Sequence, residues 1–136
     1  EITESMLMDN PSAVKTLLKQ IKSRQIKLSL DDFGTGYSSL SYLHSFPIDT
    51  LKIDRAFVVR ANSEFKNKAI TQAIVTLAQS LGMEVIAEGI ETVDQLEQLK
   101  QLKCEFGQGY FFSKPLPKAD IEKLLKSTQK LPIEKQ

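Results

Sequence analysis

Ile26-Lys27-Leu28-Ser29-Leu30-Asp31-Asp32-Phe33-Gly34-Thr35-Gly36-Tyr37-Ser38-Ser39 is an apolar run that halts at two adjacent carboxylates and opens into a glycine-rich turn. Side by side, Asp31 and Asp32 repel each other unless a cation lies between them. A strand that ends in a glycine-rich loop is also where a barrel of parallel strands keeps its reactive groups. The stretch therefore reads as half of a metal site facing a flexible loop. A second reading stands beside it: aspartate next to glycine is ordinary turn chemistry, and the pair then meets only water.

On either side, short apolar runs alternate with helical spacing, the pattern of βα units on a parallel sheet. Upstream, Asn10 is placed to cap a helix with Pro11 in its first turn, and Val14, Leu17, Leu18 and Ile21 recur at helical spacing. Downstream, a short helix is expected over residues 39–45, stopped by Pro47, and Thr50-Leu51-Lys52-Ile53-Asp54 alternates as a strand does. Ala69, Ile70, Ala73, Ile74, Leu77, Ala78 and Leu81 form the next helical stripe, with Gly82 at its C-terminal cap. Glu84 to Glu88 reads as a further strand. Thr92 and Gln95 make a capping box for a helix carrying Leu96, Leu99 and Leu102.

Phe106 to Phe112 predicts a last strand, and Pro117 to Leu125 a last helix with Ile121, Leu124 and Leu125 inward. The main body is read as 1–127, followed by a polar tail, 128–136, expected to fray. With the strand that ends near Glu1, there are about five βα units. The fold class is α/β, as an open doubly wound sheet or as part of a (β/α)₈ barrel. A closed barrel needs eight units and about 250 residues, so in that case a large part is missing.

The 136 residues suffice for one domain with a real core. Eighteen basic against seventeen acidic side chains give a net charge of +1, which steers the chain neither to a nucleic-acid polymer nor to an anionic membrane. No run is long or apolar enough to span a bilayer, and the acidic start Glu1-Ile2-Thr3-Glu4 is unlike a signal peptide. A first residue other than Met reads as a cut from something longer. The single Cys104 forms no intrachain disulfide, fits a reducing compartment and reads as a packing residue. His44 is the only histidine, which argues against a histidine-based zinc site and a Ser-His-Asp triad.

Glu1, Asp31 with Asp32, Lys52, Glu88 and Gln108 all fall in or at the ends of successive strands. The carboxyl ends of parallel strands share one face, where these side chains would converge. Oxygen ligands without histidine or cysteine suit Mg²⁺ or Mn²⁺ rather than zinc. Lys52, between Leu51 and Ile53, is directed away from the helices, where an amine can orient or deprotonate a metal-bound water. On an open sheet it would instead reach solvent. Glu88 has small neighbours that leave room for a ligand, or it is an acid approaching the next helix. Gln108 lies between two glycines in an aromatic segment, or in a turn. Glu91 is either a carboxylate favoured by the helix dipole or a group that reaches across to the Gly34-Thr35-Gly36 loop.

At these residues the chain resembles the C-terminal part of the EAL-domain family, the bacterial cyclic di-GMP phosphodiesterases. The matching stretches are Glu1-Ile2-Thr3-Glu4-Ser5, Leu30 to Leu40, Leu51-Lys52-Ile53-Asp54, Val85 to Thr92 and Gly107 to Pro115. The resemblance implies a (β/α)₈-type barrel with two divalent cations, Mg²⁺ or Mn²⁺, that hydrolyses cyclic di-GMP to linear pGpG. It implies Glu1 as a ligand of the first metal, Asp31 as the bridging carboxylate, and Asp32 and Glu88 as ligands of the second. It makes Lys52 the residue that binds the attacking water and Gln108 the amide near it. Glu91 would anchor the loop from Phe33 through Gly34, Thr35 and Gly36 to Ser39, which is tied to metal binding and dimerisation.

A homodimer, attached sensory or diguanylate cyclase domains and a cytoplasmic location, or the cytoplasmic side of a membrane-anchored protein, are implied too. The Glu-Ala-Leu signature and an asparagine ligand belong upstream of Glu1, so the 136 residues alone are expected to be inactive. A non-catalytic cyclic di-GMP receptor or interaction module on the same barrel is the alternative. An enolase-like proton abstraction by Lys52 beside Mg²⁺ is a third reading.

Overall fold

The computed structural model describes residues 1–34, 43–61 and 65–126. Its centre is a five-stranded parallel sheet: β1 (Ile2–Thr3), β2 (Ser29–Phe33), β3 (Thr50–Ile53), β4 (Glu84–Ala87) and β5 (Phe106–Gly107), paired in sequence order. Unbroken sequential order is the winding of a barrel wall; a doubly wound sheet reverses direction at a switch point. Glu1 precedes β1 rather than closing it. The helices are α1 (Glu4–Asp9), α2 (Pro11–Lys22), α3 (Arg55–Ala61), α4 (Phe65–Ser80), α5 (Val93–Gln101) and α6 (Lys118–Lys126). Among the described residues no helix is long and apolar enough to cross a membrane.

Local chemistry fixes several boundaries. The Asn10 side chain accepts from the Ala13 N–H with Pro11 in the first turn of α2, and Thr92 and Gln95 form a complete capping box on α5. The register aligns Leu30, Leu51 and Val85 on one face, all fully buried, and they pack with Ile53, Val75 and Ala78 against the helices. The alternate face receives Asp31 and Lys52. In β2 the register shifts between Leu30 and Phe33, and Asp32 takes a left-handed φ of 54°. Leu30 and Phe33 are three apart yet both buried, which strict alternation forbids; the bulge absorbs the extra residue and sets both aspartates at the strand end.

At the amino ends of the strands, carboxylates tie the chain down. Asp49 accepts from the Leu28 N–H at 2.7 Å and from the Lys22 ammonium at 2.6 Å. Burial alone would push Asp49 up, but these partners outweigh it and hold the carboxyl below its ordinary 3.8. Glu105 likewise accepts from the Val85 N–H at 3.1 Å and from Gln79 at 2.7 Å.

Several expectations are corrected. The aromatic segment from Phe106 is a strand for two residues only, because the chain turns back over Ile90: Ile90 N–H donates to the Gln108 carbonyl and Phe111 N–H to the Ile90 carbonyl. Two helices, not one, join β3 to β4. On α4 the inward face is Thr71, Ile74, Val75 and Ala78, while Ile70 is exposed. Leu17 is exposed too. No residue of α6 is buried; Ile121 and Leu125 lie on its exposed surface. The helix expected over 39–45 and the tail 128–136 fall largely or wholly outside the described residues, as do Thr35 and Gly36.

Candidate active site

Lys52 organises the carboxyl ends of the strands. Its Nζ lies 2.6 Å from Glu88 Oε1, 3.1 Å from Glu1 Oε1 and 3.2 Å from Asp31 Oδ1, with the lysine side chain only 10% exposed. One ammonium thus pairs with carboxylates carried by three separate parts of the chain. Burial favours the neutral amine, yet Glu88, Glu1 and Asp31 outweigh it and hold the ammonium well above the ordinary lysine value. In this arrangement Lys52 pairs with the carboxylates as an ammonium.

Of the residues singled out from sequence, Glu1, Asp31, Lys52 and Glu88 are therefore brought together. Asp32 sits beside them, exposed at the end of β2, where its own N–H donates to Asp31 Oδ1 at 3.1 Å. Gln108 and Glu91 line an adjoining cleft of about 700 Å³, together with Glu88, Arg55, Tyr110 and Lys114. Gly109 follows Gln108 against the Ile90 backbone so closely that a Cβ there would collide with the Ile90 carbonyl and nitrogen. This contact fixes where Gln108 stands.

Two contacts went unread in the sequence. Glu91 Oε1 accepts from Arg55 Nη2 at 2.8 Å and Nε at 3.2 Å, so its described partner is a guanidinium on the cleft wall. The Gly34 N–H instead donates to Glu4 Oε2 at 3.1 Å, and Glu4 is 7% exposed on the first turn of α1. No local signal marks it: the burial of Glu4 arises from the fold, and a buried acid then needs a donor. Cys104 is consistent with its packing reading, since burial pushes the thiol up to about 11 and its Sγ lies against the Val85 and Phe106 carbonyls.

The donor set suits a hard cation in kind, being carboxylate oxygen without histidine or thiolate. Among the described residues no three acidic, histidine or cysteine side chains are grouped as closely as metal ligands are. Lys52 stands between the carboxylates.

Comparison with known proteins follows from this geometry. The family model described as EAL domain matches residues 1–115. The cyclic di-GMP phosphodiesterase NbdA of Pseudomonas aeruginosa is 46% identical over 127 residues, covering 93% of this chain but 16% of that protein. The solved PaMucR phosphodiesterase in complex with c-di-GMP is 40% identical at a TM-score of 0.83, over 88% of this chain and 50% of the other. BlrP1 of Klebsiella pneumoniae, solved with manganese and cyclic di-GMP, is 34% identical at a TM-score of 0.77, over 83% of this chain and 29% of the other. The chain thus spans at most about half of these proteins. Its five-stranded parallel sheet is part of a (β/α)₈-type barrel, and the chain belongs to the EAL domain family.

Proposed function

We propose that this segment carries the carboxyl-end part of the active site of a metal-dependent phosphodiesterase that hydrolyses cyclic di-GMP to linear pGpG. The observation that carries the reading is the convergence of Glu1, Asp31 and Glu88 on Lys52 beside an open cleft. The relatives NbdA, PaMucR and BlrP1, named above for cyclic di-GMP chemistry, support the choice of substrate.

Glu1, Asp31, Asp32 and Glu88 are the residues that would hold Mg²⁺ or Mn²⁺, and BlrP1 supports a divalent cation. Such a pair of ions, when bound, activates water and neutralises charge on the phosphate. This chain's own side chains do the rest. Lys52, donating N–H bonds from the inner face, orients the attacking water, and Gln108 adds an amide at the cleft edge. Glu91 holds the Arg55 guanidinium on the cleft wall. The loop-anchoring role of Glu91 remains part of the proposal, and Glu4 adds a contact of its own at the Gly34 N–H. Sensory or diguanylate cyclase domains, a homodimer and a cytoplasmic setting complete the proposal; MucR of Pseudomonas aeruginosa, 42% identical over 127 residues, is a bifunctional diguanylate cyclase and phosphodiesterase.

The test is turnover of cyclic di-GMP by the full-length protein that contains this segment, with Mg²⁺ or Mn²⁺ and with chelator. Metal-dependent release of pGpG is the expected outcome. Tight binding without turnover at saturating metal would make the protein a receptor instead.

A further inference from the structure

Lys52 and a divalent cation draw on the same oxygens. An ammonium within 3.2 Å of Glu1, Asp31 and Glu88 uses the lone pairs that a hard cation would need. Three carboxylates against one ammonium leave the group with two negative charges in excess, and Asp31 and Glu88, 23 and 18% exposed, are only partly compensated by water. We infer that Lys52 is an internal counter-cation that holds the ligand carboxylates assembled and yields at least two of them when a divalent ion binds.

The inference rests on the reading of Glu1, Asp31 and Glu88 as metal ligands, and adds to it a competition within the chain. The Lys52 backbone is held in β3, where Leu51 and Ile53 are fully buried on the opposite face, so any movement of the ammonium comes from the side chain and not from the strand. Released from Glu88, which also lines the cleft, it would turn its N–H donors toward whatever occupies that cleft. Assembly of the site before metal binding and donation after it would then be successive tasks of one side chain.

Two measurements on the full-length protein decide. Crystal structures of the wild type with chelator and with Mn²⁺ should show the Lys52 ion pair to Glu88 intact in the first, and at least two of the three pairs beyond about 4 Å in the second. Mn²⁺ titrated calorimetrically should bind Lys52→Met about tenfold more tightly than wild type, since a unit charge a few ångströms away no longer opposes it. The chelated variant should melt below the chelated wild type, with a larger upward shift on adding Mn²⁺. Mn²⁺ bound at Asp31 with all three lysine pairs unbroken overturns the competition while leaving the metal reading intact. Unchanged or weaker Mn²⁺ affinity in Lys52→Met does the same. Failure of wild type to bind Mn²⁺ at all overturns the metal reading, and the competition with it.

Discussion

At the amino ends of the strands Asp49 meets one ammonium and one backbone N–H, whereas at the carboxyl ends Glu1, Asp31 and Glu88 share a single ammonium. Both rims use carboxylate and lysine at hydrogen-bonding distance. At Asp49 the charges match one to one and the carboxylate stitches the start of β2 to the end of α2. At the upper rim negative charge is left in excess beside an open cleft. A stable fold gains nothing from that excess, because partly buried carboxylates without full compensation are costly. The same chemistry is structural where it is neutralised and, under the proposed function, reactive where it is not.

Exchanging charge at the upper rim should break the contrast most strongly. Asp31→Asn in the full-length protein is expected to lower metal-dependent turnover by about 100-fold or more, the few kcal/mol that charge stabilisation by bound cations is worth. Folding should be unimpaired or slightly improved, because one of the crowded charges is gone. Steady-state kinetics at saturating Mn²⁺ and a melting curve check both halves.

Gly109→Ala tests whether the upper rim depends on backbone packing. Its Cβ would meet the Ile90 backbone, which cannot step aside, so the turn must shift and carry Gln108 with it. The expected cost is about 2 kcal/mol in stability, in the range of overpacking, with a fall in turnover. Denaturant unfolding alongside kinetics measures the two effects.

The smallest effect belongs to the lower rim. Asp49→Asn keeps an acceptor for Leu28 but loses the charge facing Lys22, and should cost about 1 kcal/mol, discounted for a pair that is 34 and 27% exposed. Turnover should not change. Because the folded value of Asp49 is lowered, its contribution is present above the ordinary 3.8 and is lost as pH falls through the folded value. Wild type should therefore lose part of its advantage over the variant below about pH 4. A melting temperature difference that stays constant down to pH 2 would contradict this.

Much of the upper rim was legible because strands alternate: Lys52 between two apolar neighbours faces away from the helices, and the barrel reading turns that direction inward. The convergence of Glu1, Asp31 and Glu88 followed from parallel strand order. What escaped were contacts set by packing between distant segments. Arg55 and Glu91 lie 36 positions apart, and Glu4 lies 30 positions from Gly34, whose N–H it accepts. Phe106, Tyr110, Phe111 and Phe112 read as strand by propensity, but Gly107 and Gly109 let the chain wrap Ile90 instead. On α6 the apolar spacing was real, yet periodicity names a face and not what covers it. On α4, counting apolar residues alone passed over Thr71, which is fully buried.

The bulge at the end of β2 has an evolutionary corollary. Asp32 adopts a left-handed backbone that glycine would take without steric cost, and aspartate tolerates it less well. Selection for a robust fold and selection for chemistry therefore pull residue 32 in opposite directions. Glycine would relieve that backbone cost, so under the proposed function residue 32 is an aspartate for the sake of its carboxylate.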